Sequence, residues 1–132
     1  MKDKNRHGRY ELSHQGQIIV WYGFGSWNEE TLTDLHRAVL SIVANFDARP
    51  WAFVANATQW ELMSPESIIF WQHIQKSLVE HGCICGATVV GENTLKQSVA
   101  KKATRDQGIE INTFLDHDEA VRWCERFLAD QP

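Results

Sequence analysis

Two patterns of apolar residues follow one another along the chain: short apolar runs, and longer stretches with an apolar residue every three or four positions. Residues 51–56 form a run with no polar alternation, and residues 83–90 contain another. Such runs are typical of strands covered on both faces, as the inner strands of a parallel sheet are. Residues 10–14, 17–22 and 109–114 also predict strands, and the alternation in the first and last of these is typical of half-buried strands.

Helical spacing appears between these runs. Apolar stripes predict helices over 29–46, 65–81 and 117–128, and a narrower seam of Leu95, Val99 and Ala103 predicts one over 94–104. Leu40 lies about 60° beyond the first stripe, and Ile69 points away from the second. The order is therefore ββαβαβαβα, which predicts an α/β domain with one mixed, mainly parallel sheet, an N-terminal hairpin and packed helices.

A single domain over residues 10–130 accounts for this pattern. Residues 1–9 have no periodicity and are expected to form a loose tail. The pair Gln15-Gly16 predicts a two-residue hairpin turn, in which the glycine suits a positive φ. Ser26 or Asn28 is a suitable N-cap for the first helix, and Asn93 for the third.

Composition excludes several classes of protein. The chain has 132 residues, 43% hydrophobic and 23% charged, with a net charge of -4, so nucleic-acid binding has no global electrostatic support. No apolar run is long enough to span a membrane, and the first residues lack the apolar segment of a secretory signal. Three cysteines do not make a disulfide framework, so we expect a reduced, cytosolic setting.

Six tryptophans are unusual in a chain of this length. Core packing is the ordinary explanation, because large rings stabilise small cores. Trp60 differs because it is predicted to lie in a loop between a strand and a helix, where its ring either covers the end of the sheet or contacts a partner. Together with Phe24 and Trp27 it is a candidate contact for an apolar ligand at that end of the sheet.

No catalytic signature is present, and neither an enzyme nor a cofactor is predicted. Gly23-Phe24-Gly25 lacks the third glycine of a dinucleotide fingerprint. Cys83 and Cys85 would face the same side of a strand with His81 just upstream, which suits a metal; buried structural cysteine is the alternative, and no metal site is predicted. His36, His73 and His117 are interpreted as surface or hydrogen-bonded residues.

The overall arrangement resembles the STAS domain, and in particular the bacterial SpoIIAA-like group. The segments that carry this resemblance span roughly residues 10 to 128: Tyr10-Glu-Leu, Ile18-Ile-Val-Trp, Gly25-Ser-Trp-Asn-Glu, Trp51-Ala-Phe-Val, Gln59-Trp60-Glu-Leu, Gly82-Cys-Ile and Phe114-Leu-Asp-His-Asp-Glu-Ala-Val-Arg-Trp123. The match is one of architecture and spacing. It implies a non-catalytic regulatory or binding module that acts through protein–protein interaction.

Anti-sigma-factor antagonists of this fold carry an Asp-Ser-Ser-Gly segment in which a serine is phosphorylated by the partner kinase. The matching segment here, residues 63–67, keeps a serine at the helix start and lacks the aspartate, the paired serine and the glycine. Ser64 precedes Pro65 and is expected to be the N-cap of the helix. Two interpretations of Ser64 remain, a helix cap alone or a phosphorylation switch. The candidate binding or switch site comprises Thr58, Trp60, Ser64 and Ser67.

Two classes of partner follow. Leu40 and Ile69 are apolar residues on otherwise polar helix faces, so they are the candidate interface for a protein partner or for self-association as a homodimer. The fold is also related to lipid-carrying Sec14 (CRAL-TRIO) domains, which implies a carrier or sensor of a lipid or other apolar small molecule as the alternative.

Overall fold

The computed structural model describes residues 8–61, 63–103 and 108–131. Its elements follow the predicted order. They are β1 (Gly8–Gln15), β2 (Ile18–Gly25), α1 (Glu29–Val43), β3 (Trp51–Trp60), α2 (Pro65–Glu80), β4 (Cys83–Val89), α3 (Thr94–Ala103), β5 (Glu110–Phe114) and α4 (His117–Ala129).

The five strands form one sheet in the order β1-β2-β3-β4-β5, with β1 antiparallel to β2 and the other neighbours parallel. Each crossover therefore moves in the same direction across the sheet. Because such crossovers are right-handed, α1, α2 and α3 lie on one face and run parallel to one another. The fourth helix follows the last strand and covers the opposite face. This is the predicted α/β architecture.

Side chains alternate between two cores along β3. Trp51 and Phe53 enter the core under α1 to α3, whereas Ala52 and Val54 enter the core under α4. All four are buried, as predicted for an inner strand. Gly86 of the neighbouring strand lies directly under the Phe53 ring and has no room for a Cβ.

The α4 face is built from small residues, which lets that helix approach the sheet closely. Ala120 and Cys124 are fully buried against Cys85 and Ala87. The thiol of Cys124 donates to the backbone oxygen of Phe53 at 3.6 Å. A single helix therefore covers the centre of the sheet on this side.

Three predicted boundaries are wrong. The third strand continues through Trp60, because Phe24 and Gly25 pair with Gln59 and Trp60 beyond an irregularity in the register. The hairpin turn is Gly16-Gln17, one residue later than predicted, since Gln15 pairs with Ile18. The first strand begins at Gly8, so residues 8 and 9 belong to the sheet; residues 1–7 of the predicted tail lie outside the described ranges.

The seam predicted for α3 is also wrong at its first position. Leu95 is 58% exposed, while Ala100 and Ala103 form the buried side of the helix. The backbone N–H of Lys96 donates to Oδ1 of Asn93 at 2.9 Å, which confirms the predicted cap. Leu95 therefore stands at the surface, beside the end of β3.

Within the described residues, no helix combines the length and the apolar character that a bilayer span requires. A span needs about 20 predominantly apolar residues. The longest helix, α2, has 16 residues and carries polar side chains along its length.

Candidate functional site

A cavity of about 60 Å³ lies at the carboxyl end of the parallel strands, between the sheet and α1 to α3. Open α/β sheets generally bind ligands at this end. Its walls are almost entirely apolar and include five aromatic rings. The lining residues that the argument below uses are Trp21, Trp27, Phe53, Trp60, Met63, Trp71 and Thr88.

The aromatic walls hold one another in place. The rings of Trp21 and Phe53 stack with centroids 5.0 Å apart, and the ring of Trp71 meets Trp21 edge-on at 5.8 Å. Pairs of these kinds add about 0.5–1.5 kcal/mol beyond the burial of their surface. Trp71 and Trp60 are each only 7% exposed. The cavity is thus formed by rigid packing of the rings.

Trp27 closes the side of the cavity next to the hairpin. Its indole N–H donates to the backbone oxygen of Arg9 at 3.1 Å, and its ring contacts the edge of Tyr10. A Cβ on Gly23 would lie 2.8 Å from this ring, so a glycine there makes room for the indole. Among its lining residues Ala55, Ala57 and Met63 are half-buried, and we take the side of Ala57 and Met63 as the mouth of the cavity.

Thr88 is the polar side chain of this cavity. It belongs to β4, is 9% exposed, and sits on the face that carries the aromatic rings. Among the described residues, no group makes a hydrogen bond to its hydroxyl. A hydroxyl that has no protein partner and lines a cavity is available to a bound group.

An open, polar groove of about 420 Å³ adjoins the cavity and shares Trp60 with it. Its other walls are the end of β3 and the start of α3. The ammonium of Lys96 donates to the backbone oxygens of Ala57 at 3.0 Å and Thr58 at 3.1 Å, tying the two elements together. Partial burial lowers the pKa of Lys96, and the nearby Glu61 carboxylate opposes that shift.

The carboxyl end of the sheet is acidic. Exposed carboxylates occupy the four loops and first helical turns of the described residues there: Glu29, Glu30, Glu61, Glu66, Glu92, Asp116, Asp118 and Glu119. Those in first helical turns, Glu29, Glu30, Glu66, Asp118 and Glu119, are stabilised by the positive ends of the helix dipoles, because these helices begin at this end. The opposing cations of the described residues at this end are Lys96, which backbone carbonyls already engage, and Arg9, whose guanidinium lies over Phe24 on the α4 face. The cavity therefore opens into negative potential.

On the α4 face of the same end, a hydrogen-bonded chain joins Thr58, Asn56, His117 and Tyr22. Oδ1 of Asn56 accepts from the backbone N–H of Thr58 at 3.1 Å and from its hydroxyl at 2.7 Å. The amide nitrogen of Asn56, which only donates, therefore faces Nδ1 of His117 at 3.0 Å. This arrangement requires a neutral imidazole with its proton on Nε2, where Tyr22 lies at 3.4 Å.

Sequence reasoning missed this chain. The sequence indicates only a surface or hydrogen-bonded His117, whereas its ring stacks on Tyr22 with centroids 5.2 Å apart. The one available signal was Asn56, a polar residue at the end of an otherwise apolar run; it is 5% exposed. A buried asparagine predicts a partner without identifying it.

The four candidate switch residues do not form one site: only Ser64 and Ser67 contact each other. Thr58 bonds to Asn56 on the α4 face, and Trp60 is buried in the wall of the cavity. Ser64 is exposed, and its hydroxyl oxygen accepts from the backbone N–H of Ser67 at 3.1 Å. The predicted N-cap is confirmed.

The three candidate ligand contacts lie on opposite faces of the sheet. Trp27 and Trp60 both line the cavity. Phe24 pairs with Arg9 on the opposite face of the sheet, where the guanidinium lies 4.1 Å from the centre of the Phe24 ring. Phe24 therefore does not contribute to this cavity.

Leu40 and Ile69 do not form one patch. Leu40 is half-buried against the main core, and Ile69 is 56% exposed. His36 of α1 lies opposite Ser77 of α2 at 2.9 Å, and the two helices run in parallel. From that level Leu40 lies toward the C-terminus and Ile69 toward the N-terminus, so they are separated by roughly 18 Å along the helix axes.

The cysteines pack into the two cores, Cys83 into one and Cys85 and Cys124 into the other. Cys83 and Cys85 face opposite sides of the sheet, contrary to the prediction, because the register shifts between Trp51 and Ala52. Burial, followed by the neighbouring Cys85, raises the pKa of the Cys83 thiol. Within the described residues, no three His, Cys, Asp or Glu side chains lie together as a metal site would require.

No family model and no curated protein matches the sequence. The fold does match solved structures. An uncharacterized protein of the DUF3478 family with a SpoIIAA-like fold, from Shewanella loihica PV-4, is 12% identical with a TM-score of 0.65 over 94% of this chain and 98% of that one. An anti-sigma factor antagonist from Mycobacterium paratuberculosis is 15% identical with a TM-score of 0.56 over 88% and 92%. The chain has a SpoIIAA-like, STAS-type fold.

Proposed function

We propose that this chain is a non-catalytic regulatory module that acts by binding another protein at the carboxyl end of its sheet. The observation that carries the proposal is the aromatic cavity with its acidic surroundings. It combines an apolar centre with a polar rim, which is the usual anatomy of a protein-binding surface.

The surroundings of the reactive side chains favour binding over catalysis. The three cysteines are buried, and burial opposes formation of a nucleophilic thiolate. His117 has both ring nitrogens directed to protein groups, and Ser64 caps α2. These contacts hold elements together, and none of these side chains is an activated nucleophile beside the cavity.

The anti-sigma factor antagonist of similar fold supports a protein partner. The regulatory proposal adds that phosphorylation of Ser64 would alter binding, because Met63, the adjacent residue, lines the cavity. Free backbone N–H groups and the helix dipole favour an added phosphate at this position, whereas Glu61 and Glu66 oppose it.

Affinity purification from the native cell tests the proposal with wild type, Ser64→Ala and Ser64→Asp. We expect wild type and Ser64→Ala to recover the same protein and Ser64→Asp to lose it. Recovery of one partner by all three, with no phosphate on Ser64 in cells, would remove the switch and leave the binding function. Recovery of no specific protein by any of them would contradict the proposal itself.

A second candidate function, a carrier or sensor of a lipid or other apolar small molecule, is favoured by the lining of the cavity. Trp27, Trp60 and Trp71 supply suitable walls. The volume of about 60 Å³ opposes it, since ligand pockets generally measure 300–1,000 Å³. Native mass spectrometry of protein from cell extract tests this candidate; a clean apo mass, with tryptophan fluorescence unchanged by fatty acids or isoprenoids, would reject it.

A further inference from the structure

We infer that the aromatic cavity receives a primary alkylammonium group, supplied as a lysine side chain of a basic protein partner. The inference rests on the proposed function and identifies the chemistry of the partner. Three independent features of the cavity agree on this group: its rings, its unpaired hydroxyl and the charge around its mouth.

The walls suit a cation attached to a hydrocarbon stem. Aromatic faces attract ammonium groups through the ring quadrupole, and tryptophan does so most strongly. Trp21, Trp27, Trp60 and Trp71 all contribute to the lining. The methylene stem of a lysine would contact the remaining apolar surface, as such stems do elsewhere.

Thr88 selects for a donor within the cavity. The residue is 9% exposed and lines the cavity, and its hydroxyl has no hydrogen-bond partner among the described residues and can accept from an N–H group. A primary ammonium has three such donors, whereas a quaternary ammonium has none. The cavity volume of about 60 Å³ also favours the smaller head group.

The acidic surroundings supply the long-range attraction, because their carboxylates outnumber the Lys96 ammonium, which the backbone oxygens of Ala57 and Thr58 already engage. Glu61 precedes Met63 at the mouth, Glu66 lies in the first turn of α2, and Glu29 and Glu30 lie in the first turn of α1. Exposed carboxylates around a low-dielectric cleft raise the local concentration of a cation. They account for the basic character of the partner, while the rings and Thr88 account for the lysine.

The sharpest test compares two ligands of similar size that differ in charge, n-butylammonium and 1-butanol. Binding is followed by the indole N–H signals of ¹⁵N-labelled protein. We expect saturable shifts of the Trp27 and Trp60 signals, with butylammonium at least tenfold tighter than butanol and weakened by salt. Trp51 is the internal control, because it is 0% exposed and its indole bonds to His81 at the other end of the sheet.

Two variants separate the contributions. Thr88→Val keeps the shape and should weaken butylammonium several-fold more than butanol, because a charged donor loses more than a neutral hydroxyl when the acceptor is removed. Trp60→Leu keeps an apolar wall and should reduce the preference for the cation. If Trp60→Leu fails to fold, the Thr88→Val comparison decides alone. Equal affinity for the two ligands, or tighter binding of tetramethylammonium, would overturn the inference.

Short peptides identify the source of the ammonium. A Lys-centred peptide flanked by basic residues should bind more tightly than butylammonium and shift the same signals, and its Nε-acetyllysine counterpart should bind at least tenfold more weakly. Binding of butylammonium but not of the peptide would overturn the assignment to a protein partner. If neither binds, while wild type and Thr88→Val capture the same cellular partner, the inference fails and the proposed function stands.

Discussion

The side-chain amide of Asn56 donates to Nδ1 of His117 over 3.0 Å and so joins the third strand to the first residue of the last helix. The bond fixes the imidazole in one tautomer, because the other side of the amide accepts from the backbone of Thr58. It also holds the start of α4 against the carboxyl end of the sheet, across a separation of 61 residues in sequence.

Replacing Asn56 tests this relationship. Asn56→Leu preserves the approximate volume but leaves the Thr58 N–H and Nδ1 of His117 without their partner, so we expect a loss of about 1–3 kcal/mol in the free energy of unfolding. Urea denaturation measures the loss, and a double-mutant cycle with His117→Phe should give a coupling energy above about 0.5 kcal/mol. Long-range ¹H–¹⁵N spectra of wild type should report the Nε2–H tautomer. An Nδ1–H tautomer would contradict the assigned network.

Local sequence signals predicted much of this fold. The unbroken apolar run at the start of β3 predicted burial on both faces, and Trp51 and Val54 are both buried. Helix starts were predicted correctly where one residue decides them, as Ser64 and Asn93 do, because a cap interacts only with the next turn. Such features depend on neighbours a few residues away.

Features set by distant pairing were not predictable in this way. The end of β3 reads as a polar loop, yet Gln59 and Trp60 are held in the sheet by β2. A register shift places Cys83 and Cys85 on opposite faces, which no period-two pattern anticipates. The site also depends on distant contacts, since the cavity needs Trp60 inside the sheet and the polar chain needs His117 beside Tyr22.

Replacing two alanines on either side of one loop with glycine should change the free energy of unfolding in opposite directions. Ala48 has φ 62°, a conformation that a Cβ disfavours, whereas Ala44 at the end of α1 has φ -58°. We expect Ala48→Gly to raise the free energy of unfolding by roughly 0.5–1 kcal/mol and Ala44→Gly to lower it by a similar amount. Both side chains are exposed, so lost packing should not mask the effect. Thermal and urea unfolding of the pair measure it; changes of the same sign would rule out the backbone explanation.

Unfolding should depend on pH through His36. Partial burial, and then the nearby His81, lowers the pKa of His36 in the folded protein. The unfolded chain therefore binds the proton more readily, and stability should fall as the pH drops below about 6.5 toward the lowered folded pKa. His36→Gln should flatten the pH dependence of the unfolding free energy over this interval, and Arg37→Gln, at the exposed neighbouring position, serves as the matched control. A profile unchanged by His36→Gln would reject this source of the dependence.

Because Leu40 is half-buried and Ile69 is exposed, substitutions at Leu40 should affect stability and substitutions at Ile69 should affect association. Leu40→Ala should lower the free energy of unfolding by about 1–2 kcal/mol, less than for a fully buried leucine because the side chain is half-buried. Ile69→Ala should change it by less than about 0.5 kcal/mol. If Ile69 contributes to a homodimer, Ile69→Lys should convert the protein to a monomer in light scattering at micromolar concentration. A wild-type protein that is already monomeric would exclude Ile69 as a self-association site.

The cap at the start of α2 allows the structural role of Ser64 to be measured apart from any regulatory one. Its hydroxyl oxygen satisfies the backbone N–H of Ser67, a group that has no partner within the helix. Ser64→Ala should therefore lower the free energy of unfolding by about 1 kcal/mol, whereas Ser64→Asp should remain close to wild type because aspartate caps equally well. Ser41→Ala is the control, since Ser41 lies exposed within α1 and alanine favours a helix interior, so this substitution should be neutral or slightly stabilising.

Urea unfolding compares the three variants under one set of conditions. If Ser64→Asp is as stable as wild type yet loses a cellular partner, the effect belongs to binding; if Ser64→Asp is itself destabilised by more than Ser64→Ala, the carboxylates of Glu61 and Glu66 dominate this helix start, and a phosphate there would disrupt α2 instead of extending its cap.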